Sequence, residues 1–465
     1  MNRKIIWLVV PMMLAVLTSC ASQQQHTRRG AIVQETVIMA LGGHSILLDT
    51  TGNLWTWGAN EGGYDEKFGF NDHALLWVGV LGDGTRSNRY SPVLILDSVA
   101  AVHSDGWNAY ALRFDGSLWS WGSHWVGWEE IKAENNVPVR VMESVVSVLV
   151  DSRINESSRR ALAAILTDGS VWLLGDSPLR LDVDMSAYLP APAFIGQPSD
   201  RYAILPDGSL WGWSRRWGEE REHMINPVRI MDSVVSVASV NAYTYALRSD
   251  GTVWAWLSWR DTDRREPLQI LNSVAALHRG KDNPDQRGRF YGGIFAVQTD
   301  GNAWSLCNLW DGSPAPVRFM DSVAYIAASG DSHHGGGFRG FAIRTDGSLW
   351  DWGASIGSSW GPVRILDSVV SVHMGKGLDG AYAIRTDGSL WFLWSGVDGS
   401  APVHIMDSVA YVARSQRLSH RGGWHTLAIR TDGSLWAWGA NSFGQLGDGT
   451  TTDRLSPVQI GIVSN

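Results

Sequence analysis

The chain has 465 residues, with 46 acidic against 38 basic side chains and a formal net charge of -8. No long basic run occurs, so the electrostatic footprint of a nucleic-acid-binding protein is missing. The cysteines number two, too few for a disulfide framework, so stability has to come from packing.

The N-terminus reads Met1-Asn2-Arg3-Lys4, then an apolar run from Ile5 to Leu17, then Leu17-Thr18-Ser19-Cys20. A basic start, a short apolar stretch and small residues before a cysteine describe an export signal; a spanning helix needs about 20 apolar residues. The ending resembles a bacterial lipoprotein signal. That resemblance implies removal of residues 1–19, a lipid such as palmitate on the Cys20 thiol, and an extracytoplasmic place in the cell envelope. Ala21, where an aspartate would retain such a protein, implies the outer membrane if the cell has one. Residues 20–35 form the lipidated cysteine and a polar, flexible tether. Cys307, the other cysteine, takes an apolar position and is read as a small buried residue.

From residue 36 to 465 the sequence is a repeat. A turn residue and glycine followed shortly by tryptophan recur at Gly52-Asn53-Leu54-Trp55, Asp115–Trp119, Asp168–Trp172, Asp207–Trp211, Asp250–Trp254, Asp300–Trp304, Asp346–Trp350, Asp387–Trp391 and Asp432–Trp436. The nine copies lie roughly 40 to 60 residues apart, the spacing of propellers and solenoids. Between them runs Pro-Val-x-Ile-Leu/Met-Asp-Ser-Val, at Pro92, Pro227, Pro362 and Pro402, with looser versions at Pro138, Pro267 and Pro316. The third unit is degenerate, since Pro190 to Pro198 carries no clear copy.

In the last unit, alternation and turn chemistry predict four strands: Ser408–Val412, Thr426–Arg430, Ser434–Trp438 and Pro457–Ile460. Asp432-Gly433 is a hairpin signal between the second and third. Both strand faces are apolar, as in a sheet covered by neighbours on both sides, and the motif tryptophans, such as Trp350, are expected between the sheets. Four antiparallel strands per unit, repeated nine times, predict an all-β β-propeller of four-stranded blades.

The segment from His425-Thr426-Leu427-Ala428 through Asp432-Gly433-Ser434-Leu435-Trp436-Ala437-Trp438-Gly439-Ala440-Asn441 and Gly444-Gln445-Leu446-Gly447-Asp448-Gly449-Thr450 to Pro457-Val458 resembles a complete repeat of the regulator of chromosome condensation family. Trp57-Gly58-Ala59-Asn60 and Leu81-Gly82-Asp83-Gly84-Thr85 in the first unit are similar. The seven interior units keep the strands and lack the Gly-Gln-Leu-Gly loop. Family propellers commonly have seven blades, against nine countable units here. The resemblance implies a fold and is nearly silent about activity. The family's founding member is a nuclear exchange factor, a role at odds with export, and one bacterial relative inhibits a β-lactamase.

Strand direction alternates, so the Asp-Gly turns and Asp-Ser junctions fall on one edge of the blades and the variable connections on the other. Binding residues are usually carried by variable loops on a rigid scaffold. The variable edge is predicted to hold Trp125, Trp128, Trp217, Trp259, Trp310, Trp360, Trp394 and Trp424, with Arg289, Arg339, Arg414, Arg417 and Arg421. Tryptophan beside arginine is the composition of interface hot spots. No Gly-x-Ser-x-Gly elbow, His-Glu-x-x-His helix or phosphate loop is present. The repeat aspartates are read as turn formers, and so are Asp83 and Asp448, for which calcium is the lesser alternative. The expectation is a non-catalytic propeller with no cofactor and no metal. It would bind a protein partner, with inhibition of an envelope or secreted enzyme as one form. Alternatives are a glycan- or cell-wall-binding lipoprotein and an envelope enzyme of glycosidase type.

Overall fold

The computed structural model describes residues 36–61, 79–104, 106, 108–122, 136–150, 162–174, 179–184, 202–204, 207–212, 215–216, 223–224, 228–240, 243–257, 266–280, 283–284, 290–291, 293–306, 316–330, 338–355, 358–374, 380–394, 401–415 and 423–462. The elements among these residues are all β: nine successive antiparallel blade sheets and two small two-stranded ones, Arg215–Arg216 with His223–Met224 and Asn283–Pro284 with Phe290–Tyr291. We number the nine as blades: 1 (37–96), 2 (99–142), 3 (145–184), 4 (202–231), 5 (234–271), 6 (274–320), 7 (323–366), 8 (369–406) and 9 (409–460). Eight have four strands in sequential order, the arrangement of β-propeller blades. Blade 4 shows three: Tyr202–Ile204, Leu210–Gly212 and Val228–Met231.

The strands of the last unit fall where alternation predicts them, at Val409–Arg414, His425–Arg430, Leu435–Gly439 and Arg454–Ile460. The third unit corrects the sequence reading. Its fourth strand is Leu179–Asp184, paired to Ser170–Leu174, and not in the Pro190–Pro198 stretch. With no long connection to cross, the strand follows the third almost at once, so a search at the spacing of the other units looks too far along the chain.

By contact the described residues form two units, one between 25 and 180 together with 405–465, the other between 181 and 404. In the first unit the two ends of the repeat region meet: Val37–Ala40 packs on Val409–Arg414 and His425–Arg430. Ile38, Leu47, Trp55 and Trp57 share one core with Leu427, Leu435, Leu446 and Ile460. In the second unit the period-2 geometry of strands sorts residues between neighbours. Along Ile294–Gln298, Ile294 and Ala296 join blade 5 residues such as Tyr245 and Val253, while Phe295 and Val297 join Ile326 and Trp352 of blade 7. Each fully buried Leu, Ile or Phe in such a core contributes about 1.5–3 kcal/mol. A single blade cannot cover both faces, so stacking is what makes the sequence foldable.

Seven blade-to-blade junctions use the same backbone device. Ser98, Ser144, Ser233, Ser273, Ser322, Ser368 and Ser408 all adopt left-handed φ values of 53–61°, a conformation that costs a non-glycine residue about 1 kcal/mol. The junction between blades 6 and 7 shows what offsets it. The Ser322 carbonyl accepts from Thr345 N at 2.8 Å, and Val323 N donates to the Gly301 carbonyl at 2.9 Å. Gly301 has φ 85°, and a Cβ there would stand 3.0 Å from the Ser322 Cα. The Asp-Gly turn of one blade is thus the docking point for the junction to the next.

Candidate binding edge

The turn edge is built from one network repeated with little change. In blade 7, Asp346 Oδ1 accepts from Ser348 N at 2.8 Å and from the Ser348 hydroxyl at 2.5 Å, and Trp350 Nε1 donates to Ser348 Oγ at 2.8 Å. The same three contacts recur around Asp115, Asp168, Asp387 and Asp432. Hydrogen bonds from the Ser348 side chain and backbone hold the Asp346 carboxyl below its ordinary range. The preceding arginine covers the ring: Arg344 lies 4.2 Å from the centroid of Trp350, and Arg113, Arg385 and Arg430 take the same place over Trp119, Trp391 and Trp436. The aspartate and serine oxygens and the indole N–H are partnered within the turn, so the repeat aspartates are turn formers as expected.

This geometry revises the role of the motif tryptophan. Trp350 and most of its equivalents are half-buried against the turn. The deeply buried position lies two residues on, at Trp57, Trp121, Trp256, Trp352 and Trp438. Trp55 is buried as well, and its Nε1 donates to Asp49 Oδ2 at 3.3 Å.

On the other edge, the loops of blades 9 and 1 are closed by an asparagine. Asn441 Nδ2 donates to Asp448 Oδ1, to the Thr450 carbonyl and to the Thr452 carbonyl at 3.0–3.1 Å, and its Oδ1 accepts from Leu446 N at 3.0 Å. Asn60 repeats the pattern with Asp83, Thr85 and Leu81. Burial acts to raise the Asp448 carboxyl, and hydrogen bonds from Thr450, Arg454 and Asn441 outweigh it, leaving the group lowered. Asp448 and Asp83 pair with Arg454 and Arg89. Their oxygens are therefore taken by donors within the loop, and no group of three or more metal-ligating side chains occurs among the described residues.

Of the predicted edge residues, Trp125, Trp128, Trp217, Trp259, Trp310, Arg289, Arg417 and Arg421 lie outside the described residues, as do Cys20 and Cys307. Two others move from loops into strands. Arg339 belongs to Phe338–Arg344 and Trp360 to Ser358–Leu366, and both pair with Gly353 from opposite sides. The blade 7 strands run longer than the sequence suggests because polar and glycine residues continue the ladder. Trp424 is half-buried, with the Arg414 guanidinium 4.5 Å above its ring. Trp394 is 54% exposed and ends a chain of contacts, Tyr382 to Phe392 at 5.1 Å and Phe392 to Trp394 at 5.0 Å. Sequence reasoning placed Trp394 in a connection without seeing this aromatic support; the alternation of Tyr382 and Phe392 on facing strands was the available signal.

The regulator of chromosome condensation (RCC1) repeat matches residues 432–465. The human E3 ubiquitin-protein ligase HERC2 is 21% identical over 293 residues, covering 58% of this chain, and the mouse protein is 20% identical over the same length. The alignment spans 6% of the length of these relatives. Among solved structures, Prp20p from Saccharomyces cerevisiae is 16% identical, with 89% of this chain and 87% of that chain covered and a TM-score of 0.39. Human WBSCR16 is 14% identical, with 94% and 85% covered and a TM-score of 0.29. The matched segment is the one whose Asp432 turn, paired tryptophans and Asn441-closed loop the other blades vary, and in that segment the chain carries a regulator of chromosome condensation (RCC1) repeat.

Proposed function

We propose that this protein is a lipid-anchored, extracytoplasmic propeller that binds a protein partner through the variable edge of its blades and performs no chemistry itself. The observation that carries the reading is the contrast between edges. At the turn edge Asp, Ser, Trp and Arg satisfy one another blade after blade, leaving little free to recognise a ligand. In the sequence, the connections assigned to the opposite edge carry nearly all the length variation and a surplus of tryptophan and arginine, the side chains that anchor interfaces. Inhibition of an envelope or secreted enzyme is the form of binding we favour. The lipid anchor rests on Leu17-Thr18-Ser19-Cys20, and Cys20→Ser should abolish labelling by a palmitate analogue; persistent labelling would remove the anchor from the proposal.

The binding claim is tested with the soluble fragment that starts after Cys20, used as bait in envelope extract. Replacing Trp217, Trp259 and Trp310 together by alanine should lose the captured partner while circular dichroism stays unchanged. Retention of the partner by the folded triple variant would contradict the edge assignment. A second reading, glycan binding, is favoured by Trp394 alone, an exposed ring held by aromatic neighbours as a stacking platform. Loss of binding to envelope glycan on Trp394→Ala, with protein capture intact, would select it.

A further inference from the structure

The seam between blades 9 and 1 is closed by buried polar side chains that the turn network does not explain. The Ser45 hydroxyl donates to the Gln445 carbonyl at 2.9 Å. The hydrogen in its 2.9 Å contact with His425 Nε2 must therefore come from the ring. His425 is thus the Nε2–H tautomer, and its Nδ1 is a bare acceptor. Trp57 Nε1 donates to the same Gln445 carbonyl at 2.9 Å. His44, Ser45, His425 and Gln445 are at most 1% exposed. His44 Nδ1, His425 Nδ1 and Gln445 Nε2 have no hydrogen-bond partner among the described residues.

An imidazolium in this seam would find no counter-ion among the described residues. The charged groups on the packed elements are engaged elsewhere: Asp49 with Thr51 and Asn53, Asp448 with Arg454, Asp453 with Asn441 N, Arg89 with Asp83, Arg430 with the Asp407 carbonyl and Arg414 over Trp424. His103 of blade 2 has interactions of its own. Burial lowers His44 to about 4, and burial with the neighbouring His44 lowers His425 to about 3. Blades 9 and 1 are also not consecutive in the chain, whereas blades 6 and 7 are tied by Asp321-Ser322-Val323 and its two hydrogen bonds.

We propose that the blade 9–blade 1 seam is an acid-operated latch, closed by neutral His44 and His425 and released when they are protonated. Each ring stabilises the closed seam fully while it is neutral in the open state. Below that point closure weakens by up to about tenfold per pH unit for each histidine.

Hydrogen exchange of the full chain, corrected for the intrinsic pH dependence of amide exchange, tests the latch. Protection of residues 37–48 and 425–446 should fall at least about tenfold between pH 7 and pH 4.5, at a higher pH than protection of residues 338–355. In the double variant His44→Gln, His425→Gln, folded at neutral pH by circular dichroism, the seam should lose this pH dependence. If that variant does not fold, the parent decides: ring protonation of His425 followed by NMR should coincide with seam opening. Protection of 37–48 unchanged down to pH 4, its loss together with that of 338–355, or an unshifted opening pH in the folded double variant would overturn the proposal.

Discussion

The seam between blades 9 and 1 and the seam between blades 6 and 7 solve one packing problem in two ways. In each, the second tryptophan of a blade enters the space beside a neighbour. Trp57 donates its indole N–H to the Gln445 carbonyl, and a Cβ on Gly447 would stand 2.8 Å from that nitrogen, so the Gly-Gln-Leu-Gly loop is shaped around the ring. Trp121 does the same against the blade 1 loop, donating to the Val80 carbonyl at 3.0 Å. In blade 7 the ring is held by aromatic neighbours: Trp352 packs at 5.1 Å from Phe295 and 5.0 Å from Phe319. Its Nε1 has no partner among the described residues. The family loop therefore satisfies an indole N–H as well as closing a turn. Among interior blades that have shed it, Trp256 of blade 5 donates instead to the Tyr202 hydroxyl at 3.0 Å, and Trp352 relies on aromatic area, an indole N–H left without a partner costing about 1–3 kcal/mol.

Removing the rings should give the largest effect and should not separate the seams. Trp57→Ala and Trp352→Ala should each cost about 3–5 kcal/mol in denaturant unfolding. Equal stability of either variant and the parent would show that the ring is not part of a core. Phenylalanine is the sharper probe, because it keeps most of the area and deletes the N–H. Trp57→Phe should cost about 1 kcal/mol more than Trp352→Phe, since only the first loses a hydrogen bond. The reverse order would mean that the loop carbonyl is not the reason for tryptophan at this position.

The pH dependence has a sign fixed by burial. His44 and His278, one in each of these seams, are lowered from 6.5 to about 4. Between pH 6.5 and 4 the unfolded chain binds more protons than the folded one. Stability is therefore complete above pH 6.5 and falls as the pH drops through this window, by about 3 kcal/mol for each histidine. His278→Leu should flatten the curve for the second unit. A parent protein as stable at pH 4.5 as at pH 7 would show that these rings are not buried neutral.

Smaller effects are expected at the turn edge. Trp350→Ala should cost about 1–2 kcal/mol, less than Trp352→Ala, because the ring is half-buried under Arg344. Ser322→Gly should be neutral or stabilising by a few tenths of a kcal/mol, since glycine reaches the left-handed φ without strain. A larger loss for Trp350→Ala than for Trp352→Ala would return the first tryptophan to the interblade core.

Much of the fold was legible because each signal is local. Alternation gave the strands of blade 9, and Asp-Gly marked turns whose hydrogen bonds run between residues two apart. The fourth strand of blade 3 was missed because a connection shrank to a few residues. Arg339 and Trp360 were read as loop residues because glycine and serine do not alternate like a strand, although they pair like one. The His44–His425 seam was illegible for a different reason. It joins residues at opposite ends of the repeat region, and no periodicity within a blade records that the first and last blades meet.

The central claim is that the variable edge binds and the turn edge only holds the blades together. The most direct measurement is the affinity of the soluble chain for a captured partner, compared between the Trp217, Trp259, Trp310 triple alanine variant and Asp367→Asn. The latter changes an exposed turn-edge carboxylate that pairs with Arg364 three residues before it. The account predicts a loss of at least about thirtyfold for the triple variant, since each hot-spot ring is worth about 2 kcal/mol, and less than about twofold for Asp367→Asn. Equal losses at the two edges, in proteins with parental circular dichroism, would contradict it.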